Sequence, residues 1–319
     1  MTTIGSRWHS SSRFDLTEGE FADGYRSDKP LTEEKIEELV VGYGRGALEK
    51  MIEKNKTLRR DLKEVDARHH RQIMFIKEAG FWIVTDRIEG GSRYTQIWNL
   101  PPPHEGENRD NYICPGFSPG QVRFDEDEKW LQTIDPRDAN VALRHFIDSP
   151  LSYELKFGEK YPFRGWFSFG IGGEKVPSVE VHASWSGSAP LVTAIIPLQD
   201  RTDRGQYRSL CDGTISGFER IADGRTVTYL TAPLPMPLTA GPVSTKQAEA
   251  LLVVQENADI SGVVLGGENV RLGRHPLVDG DFEFVQSPGR AAKTKSIGRP
   301  TSFTWINDNG GVRPEYNSQ

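Results

Sequence analysis

From position 71 onward, apolar and polar positions alternate with a period of two. Ile73, Phe75 and Lys77 oppose Met74 and Ile76, and Phe81, Ile83 and Thr85 oppose Trp82 and Val84. This period predicts two strands. Both carry apolar residues on both faces, as expected where a sheet is covered on each side. A turn at Glu78, Ala79 and Gly80 would fold them into an antiparallel hairpin, and residues 94–100 supply a third strand stopped by Pro101, Pro102 and Pro103. An earlier strand is expected over 12–21. Further strands are expected at 121–124, 130–134, 139–146, 165–171, 178–183 and 191–197. Residues 201–234 read as three more, with turns at Cys211-Asp212-Gly213 and Ala222-Asp223-Gly224. Pro233, Pro235, Pro237 and Pro242 read as a stiff connector. Short strands follow over 248–305, with a polar, frayed tail from 307.

The period changes over 31–65. Ile36, Leu39, Val40, Tyr43, Leu48, Met51, Ile52, Leu58, Leu62 and Val65 recur at gaps of three and four among Glu, Lys and Arg. That is an amphipathic helix with Thr32 as N-cap, broken near Gly42, Gly44 and Gly46 into a short and a longer piece. The chain therefore reads as all-β: a large antiparallel super-β-sandwich with a helical insertion near residues 31–66. Residues 1–235 form the expected sandwich core. Residues 236–319 supply further strands of the same sandwich or a small all-β extension.

Composition supports many short strands and turns, since Gly (32) and Pro (20) make up about a sixth of 319 residues. The net charge of −6 lacks the basic excess of a nucleic-acid binder, although local arginines can still grip an anionic ligand. No run of about 18 apolar residues marks a membrane span. The N-terminal residues lack the pattern of a signal peptide. Cys114 and Cys211 have no framework spacing, so they are either two separate thiols or one long-range disulfide.

His69 heads the first strand of the hairpin and Asp86 ends the second, 17 positions apart. An antiparallel turn between them builds either a metal site or an acid–base pair. A regular strand sends His70 to the opposite face. Arg13, Arg71 and Arg87 are candidate clamps for a carboxylate or sulfate, because guanidinium meets such groups bidentately. The glycines at 42, 44 and 46 do not make a phosphate loop, and neither GxSxG nor HExxH occurs. Gly170 to Gly173 read as a hairpin turn, and the acidic stretch 125–128 as a solvated turn.

These segments resemble heparinase II/III-like polysaccharide lyases over roughly residues 6–200. Trp8-His9-Ser10-Ser11, Arg13-Phe14-Asp15, Glu18-Gly19 and Gly24-Tyr25 are similar to the start of that family's β-sandwich. His69-x-Arg71-x-Ile73-Met74-Phe75-Ile76-Lys77 and Phe81-Trp82-Ile83-Val84-x-Asp86 resemble its paired central strands. Tyr94-x-Gln96-x-Trp98-Asn99-Leu100-Pro101-Pro102 and Gly165-Trp166-x-Ser168 before Pro197 continue the likeness.

The resemblance implies β-elimination on uronic-acid polysaccharides, with the catalytic base and its partners supplied mainly by an α/α toroid that is expected to be absent from this chain. It implies an anionic polysaccharide as ligand, a separate or upstream toroid polypeptide as partner, and a periplasmic or secreted setting. It also implies a structural zinc held by His69 and Asp86, with His145 or His104 as third ligand and Asn99 standing where many relatives carry histidine. Trp8, His9, Arg13 and Arg71 are the expected substrate contacts, Trp8 and His9 lying near the toroid interface. The competing expectation is a non-catalytic module that binds anionic carbohydrate or serves only structure.

Overall fold

In a computed structural model of the chain, residues 3–21, 26–27, 63–64, 67–100, 118–135, 140–160, 163–168, 175–198, 205–297, 305–308 and 311–314 are described. Eighteen strands in three antiparallel sheets carry the architecture. They are β1 (Thr3–Ser10), β2 (Phe14–Phe21), β3 (Arg68–Ile76), β4 (Phe81–Glu89), β5 (Arg93–Leu100), β6 (Val122–Asp125), β7 (Trp130–Thr133), β8 (Asn140–Phe146) and β9 (Ser152–Phe157). Then come β10 (Val179–Ser186), β11 (Leu191–Leu198), β12 (Gln206–Ser209), β13 (Ser216–Ala222), β14 (Arg225–Met236), β15 (Ala248–Glu256), β16 (Asp259–Gly267), β17 (Gly280–Gln286) and β18 (Lys293–Ser296).

The central sheet runs β1-β2-β3-β4-β11-β8-β7-β6, with one face packed on a second sheet and the other covered in part. On one side Phe14, Leu16, Met74, Ile76, Phe81, Ile83, Val192 and Ala194 pack against Phe218, Tyr229, Leu252 and Val263. Those last four belong to a seven-stranded meander, β12 to β18 in order. On the other side Leu131, Leu143 and Leu191 pack against Tyr153, Val179, Val181 and Ala183 of the small sheet β9-β10-β5. The outer face of the meander is capped in turn by Leu238, Ala240, Val243 and Leu272, the last three on two-residue strands of a small four-stranded sheet. Of the apolar-on-both-faces pattern at 73–84, Met74, Ile76, Phe81 and Ile83 are buried by the meander, whereas Ile73, Phe75 and Trp82 on the other face stay partly accessible. The meander carries strands from both sides of position 235.

Several boundaries differ from the sequence expectation. The N-terminal segment is two strands, because Ser11 reverses the chain: its backbone N–H donates to Phe14 O (2.9 Å) and its hydroxyl accepts from Arg13 N and Phe14 N. Strand β9 is additional. Its alternation is masked by charge, since Glu154 and Lys156 face outward while Tyr153 is buried. Pro233 and Pro235 do not form a connector but end β14, where the register against β15 slips between Thr231 and Met236 and no ladder bond is asked of them. Most of the helical stretch expected over 31–66 lies outside the described residues. Within it, Lys63–Glu64 pairs with Arg26–Ser27 as a two-residue strand. Among the described residues there is no α-helix, and none is long and apolar enough to cross a membrane.

Candidate functional site

The hairpin β3–β4 turns at Gly80, whose φ of 68° suits a residue without Cβ. Its register runs unbroken from Arg68↔Glu89 to Ile76↔Phe81. No bulge intervenes, so His69 and Arg71 share one face with Asp86, and His70 faces the other way. His69 Nε2 lies 2.6 Å from Asp86 Oδ1. Arg71 grips the same carboxylate with both edges of its fork, Nε to Oδ1 at 2.7 Å and Nη2 to Oδ2 at 3.0 Å. Gln96 of β5 donates Nε2–H to Oδ2 at 2.7 Å. Its own carbonyl accepts from Trp98 Nε1 (2.7 Å) and Thr193 Oγ1 (3.1 Å), which fixes the amide's orientation. Asp86 is 1% exposed. Burial opposes its ionisation, but the bonds from His69 and Arg71 outweigh it and hold the carboxyl at about 2.

His145 shares this face of the central sheet but stands two strands from Asp86, on β8 beyond β11. At a strand spacing of about 4.8 Å the two backbones are roughly 10 Å or more apart. Its Nδ1 bonds the Tyr153 hydroxyl at 2.7 Å, and its Nε2 has no hydrogen-bond partner among the described residues. Burial drives its pKa down to about 3, so the ring is neutral. The zinc set His69, Asp86 and His145 is therefore not assembled. The four donors already on Asp86 leave the residues present unsuited to a metal. No group of three or more His, Cys, Asp or Glu able to hold one occurs among the described residues. His104 and Cys114 lie outside the described residues. Asn99 sits on the outer face of the small sheet, alternating with Gln96 and Trp98. Cys211 is a free thiol.

The four expected substrate contacts separate. His9 is buried against the meander with Nε2 3.2 Å from Glu283 Oε2. Arg13 pairs with Glu78 at 2.5 Å. Arg71 holds Asp86, its side chain 37% exposed. Trp8, one position from His9 on edge strand β1, points the opposite way and is 70% exposed. Arg87 turns toward the meander, donating to Thr231 Oγ1 (2.6 Å) and Glu249 O (2.9 Å).

Trp8 marks a face of the central sheet on which other aromatics are also accessible. Along β3 and just past it, Arg71, Ile73, Phe75 and Lys77 alternate onto this side, half-buried. Trp82 is 36% exposed and stacks on Phe75, with centroids 4.5 Å apart and planes at 21°. Trp8 opposes Thr17, which opposes Ile73. Lys77 sits on Asp15 at 2.8 Å. The result is a strip about 20 Å long, taken at 3.4 Å per residue, with aromatics in the middle and a cation at each end.

A second polar group, not anticipated from the sequence, lies between the central sheet and the meander. Asp281, Arg7, Glu18, Gln72, Tyr229 and Thr85 connect in a chain of bonds from 2.5 to 3.1 Å. The signal was present in β2, where Phe14, Leu16 and Glu18 alternate onto one face: a carboxylate in an apolar register demands a partner. Burial opposes ionisation of Glu18, yet bonds from His70 and Arg7 hold it at about 2.

No family model matches the chain, and no curated protein matches it in sequence. Solved structures with a distant fold-level likeness include a heparinase III (14% identity, TM-score 0.40, 71% of this chain and 27% of that one). A heparan sulfate lyase from Pedobacter heparinus follows at 12% identity and TM-score 0.43, over 72% of this chain and 28% of that one. A further heparinase III gene product stands at 12% and 0.41, over 72% and 27%. The chain spans about a quarter of the length of these structures.

Proposed function

We propose that this chain is the polysaccharide-binding super-sandwich of a heparinase II/III-like lyase, and that it holds an acidic glycan on the aromatic strip of the central sheet. The observation that carries this reading is the exposure of Trp8 and Trp82 on one sheet face, with Phe75 stacked beneath Trp82 and Arg71 and Lys77 at the two ends. Indole rings present a flat apolar surface to the C–H face of a pyranose, and guanidinium and ammonium groups meet carboxylate or sulfate. Both cations already have internal carboxylate partners, Asp86 and Asp15. Stacking therefore supplies most of the affinity, and the charges orient the chain.

Elimination itself needs a base for the α-proton, an acid for the departing oxygen and a neutralised uronate carboxylate. In this reading those come from a helical toroid and not from His69, which is committed to Asp86. The sandwich would form one wall of the cleft. Isothermal titration with size-defined heparan sulfate oligosaccharides tests the binding. Trp8→Ala and Trp82→Ala should each weaken it about fivefold or more, by loss of about 1 kcal/mol of stacking. Unchanged affinity in both variants refutes the strip as the site.

The non-catalytic carbohydrate-binding reading makes the same binding prediction. The two part when a toroid is supplied in trans: only the lyase reading predicts unsaturated uronate product.

A further inference from the structure

We infer that the guanidinium of Arg71 is the resident cation of the His69–Asp86 site, and that the chain folds and holds this site without a metal ion. The inference goes beyond the binding proposal and rests on different groups. An ionised carboxylate offers about four acceptor positions on its two oxygens. On Asp86 all four are taken, by His69 Nε2, by Arg71 Nε and Nη2, and by Gln96 Nε2. None of these donors is free to swing away at no cost. Gln96 is pinned by Trp98 and Thr193 at its carbonyl, so flipping its amide would set two donors against an NH2 group. His69 donates Nε2–H to the carboxylate, so this nitrogen has no lone pair to offer a metal at Asp86.

A divalent ion on Asp86 would also sit within a few ångströms of a guanidinium that cannot be deprotonated, with little water between them to screen the repulsion. Nor does the fold bring a third ligand. His145 is two strands away and bonded to Tyr153. The bidentate pair thus does what a metal would do at this place. It neutralises a buried carboxylate and locks His69 against β4, and through Gln96 it ties the central sheet to the small sheet.

Metal analysis and thermal melting of the purified full chain test this. The wild type should carry far less than one zinc per chain, and neither a chelator nor added zinc should move its melting temperature. Arg71→Met should lower the melting temperature more than the double variant Arg71→Met/Asp86→Leu does, because removing one partner strands a buried charge while removing both does not. One zinc per chain that is lost in His69→Ala, or a melting temperature that falls on chelation, overturns the inference. A double variant no more stable than Arg71→Met overturns the assignment of Arg71 as the counter-charge.

Discussion

Two buried titratable groups on the same sheet face give the folded state two separable responses to acid. His145 is held at about 3, well below the ordinary histidine value of 6.5, primarily by burial. Its folded pKa is depressed, so the unfolded chain binds a proton first. Stability is then full above pH 6.5 and is lost as pH falls toward about 3, at up to about 1.4 kcal/mol per pH unit. Asp86 is held at about 2 against 3.8, so its contribution is present above pH 3.8 and disappears between there and about 2. Chemical denaturation at a series of pH values should show His145→Gln flattening the slope between pH 6.5 and 4. Asp86→Asn should instead leave that slope intact and act below pH 4. The pairing of His69 with Asp86 was legible in the sequence, because a period-two pattern and a short turn fix which residues meet. Gln96 and Thr193 were not legible, since Gln96 reaches the carboxylate, and Thr193 the Gln96 carbonyl, from strands that only the tertiary arrangement brings near.

Among the strands, two glycines separate conformational need from space. Gly80 closes the β3–β4 turn at φ 68° with nothing within 4 Å of an added Cβ. Gly262 in β16 has an ordinary strand position, yet a Cβ there would lie 2.1 Å from Leu252 O and 2.7 Å from the Phe284 ring. Gly80→Ala should cost about 1–2 kcal/mol of backbone strain and leave the fold intact. Gly262→Ala must push apart paired strands of the meander and should cost about 3 kcal/mol or more, read as a lower denaturation midpoint. The Asp223-Gly224 turn between β13 and β14, with both residues at positive φ, was readable from its dipeptide alone. Strand β9 and the proline-containing end of β14 were not, because their residue types obey the local ladder and exposure rather than the general propensity.

At the scale of the whole molecule, the layers are held by apolar packing and registered by polar contacts. Tyr229 is fully buried and bonds Gln72 Oε1 at 3.1 Å and Thr85 Oγ1 at 2.8 Å across the interface with the meander. Tyr229→Phe keeps the ring and strands those partners, and should cost about 1–3 kcal/mol in equilibrium unfolding. The sequence announced a sheet covered on both sides through residues 73–84, but not which elements cover it, since period two carries no partner information. It also left the open part of that sheet unseen. Trp82 read as any strand tryptophan until the small sheet's limited extent exposes it, whereas Trp8 was already an expected substrate contact. The sharpest test of the proposed function is therefore the indole N–H spectrum of the seven tryptophans during titration with a size-defined heparan sulfate oligosaccharide. The strip predicts saturable shifts of the Trp8 and Trp82 resonances, assigned by substitution, while buried Trp185 stays in place. Saturable binding that leaves both of those resonances unmoved would contradict it.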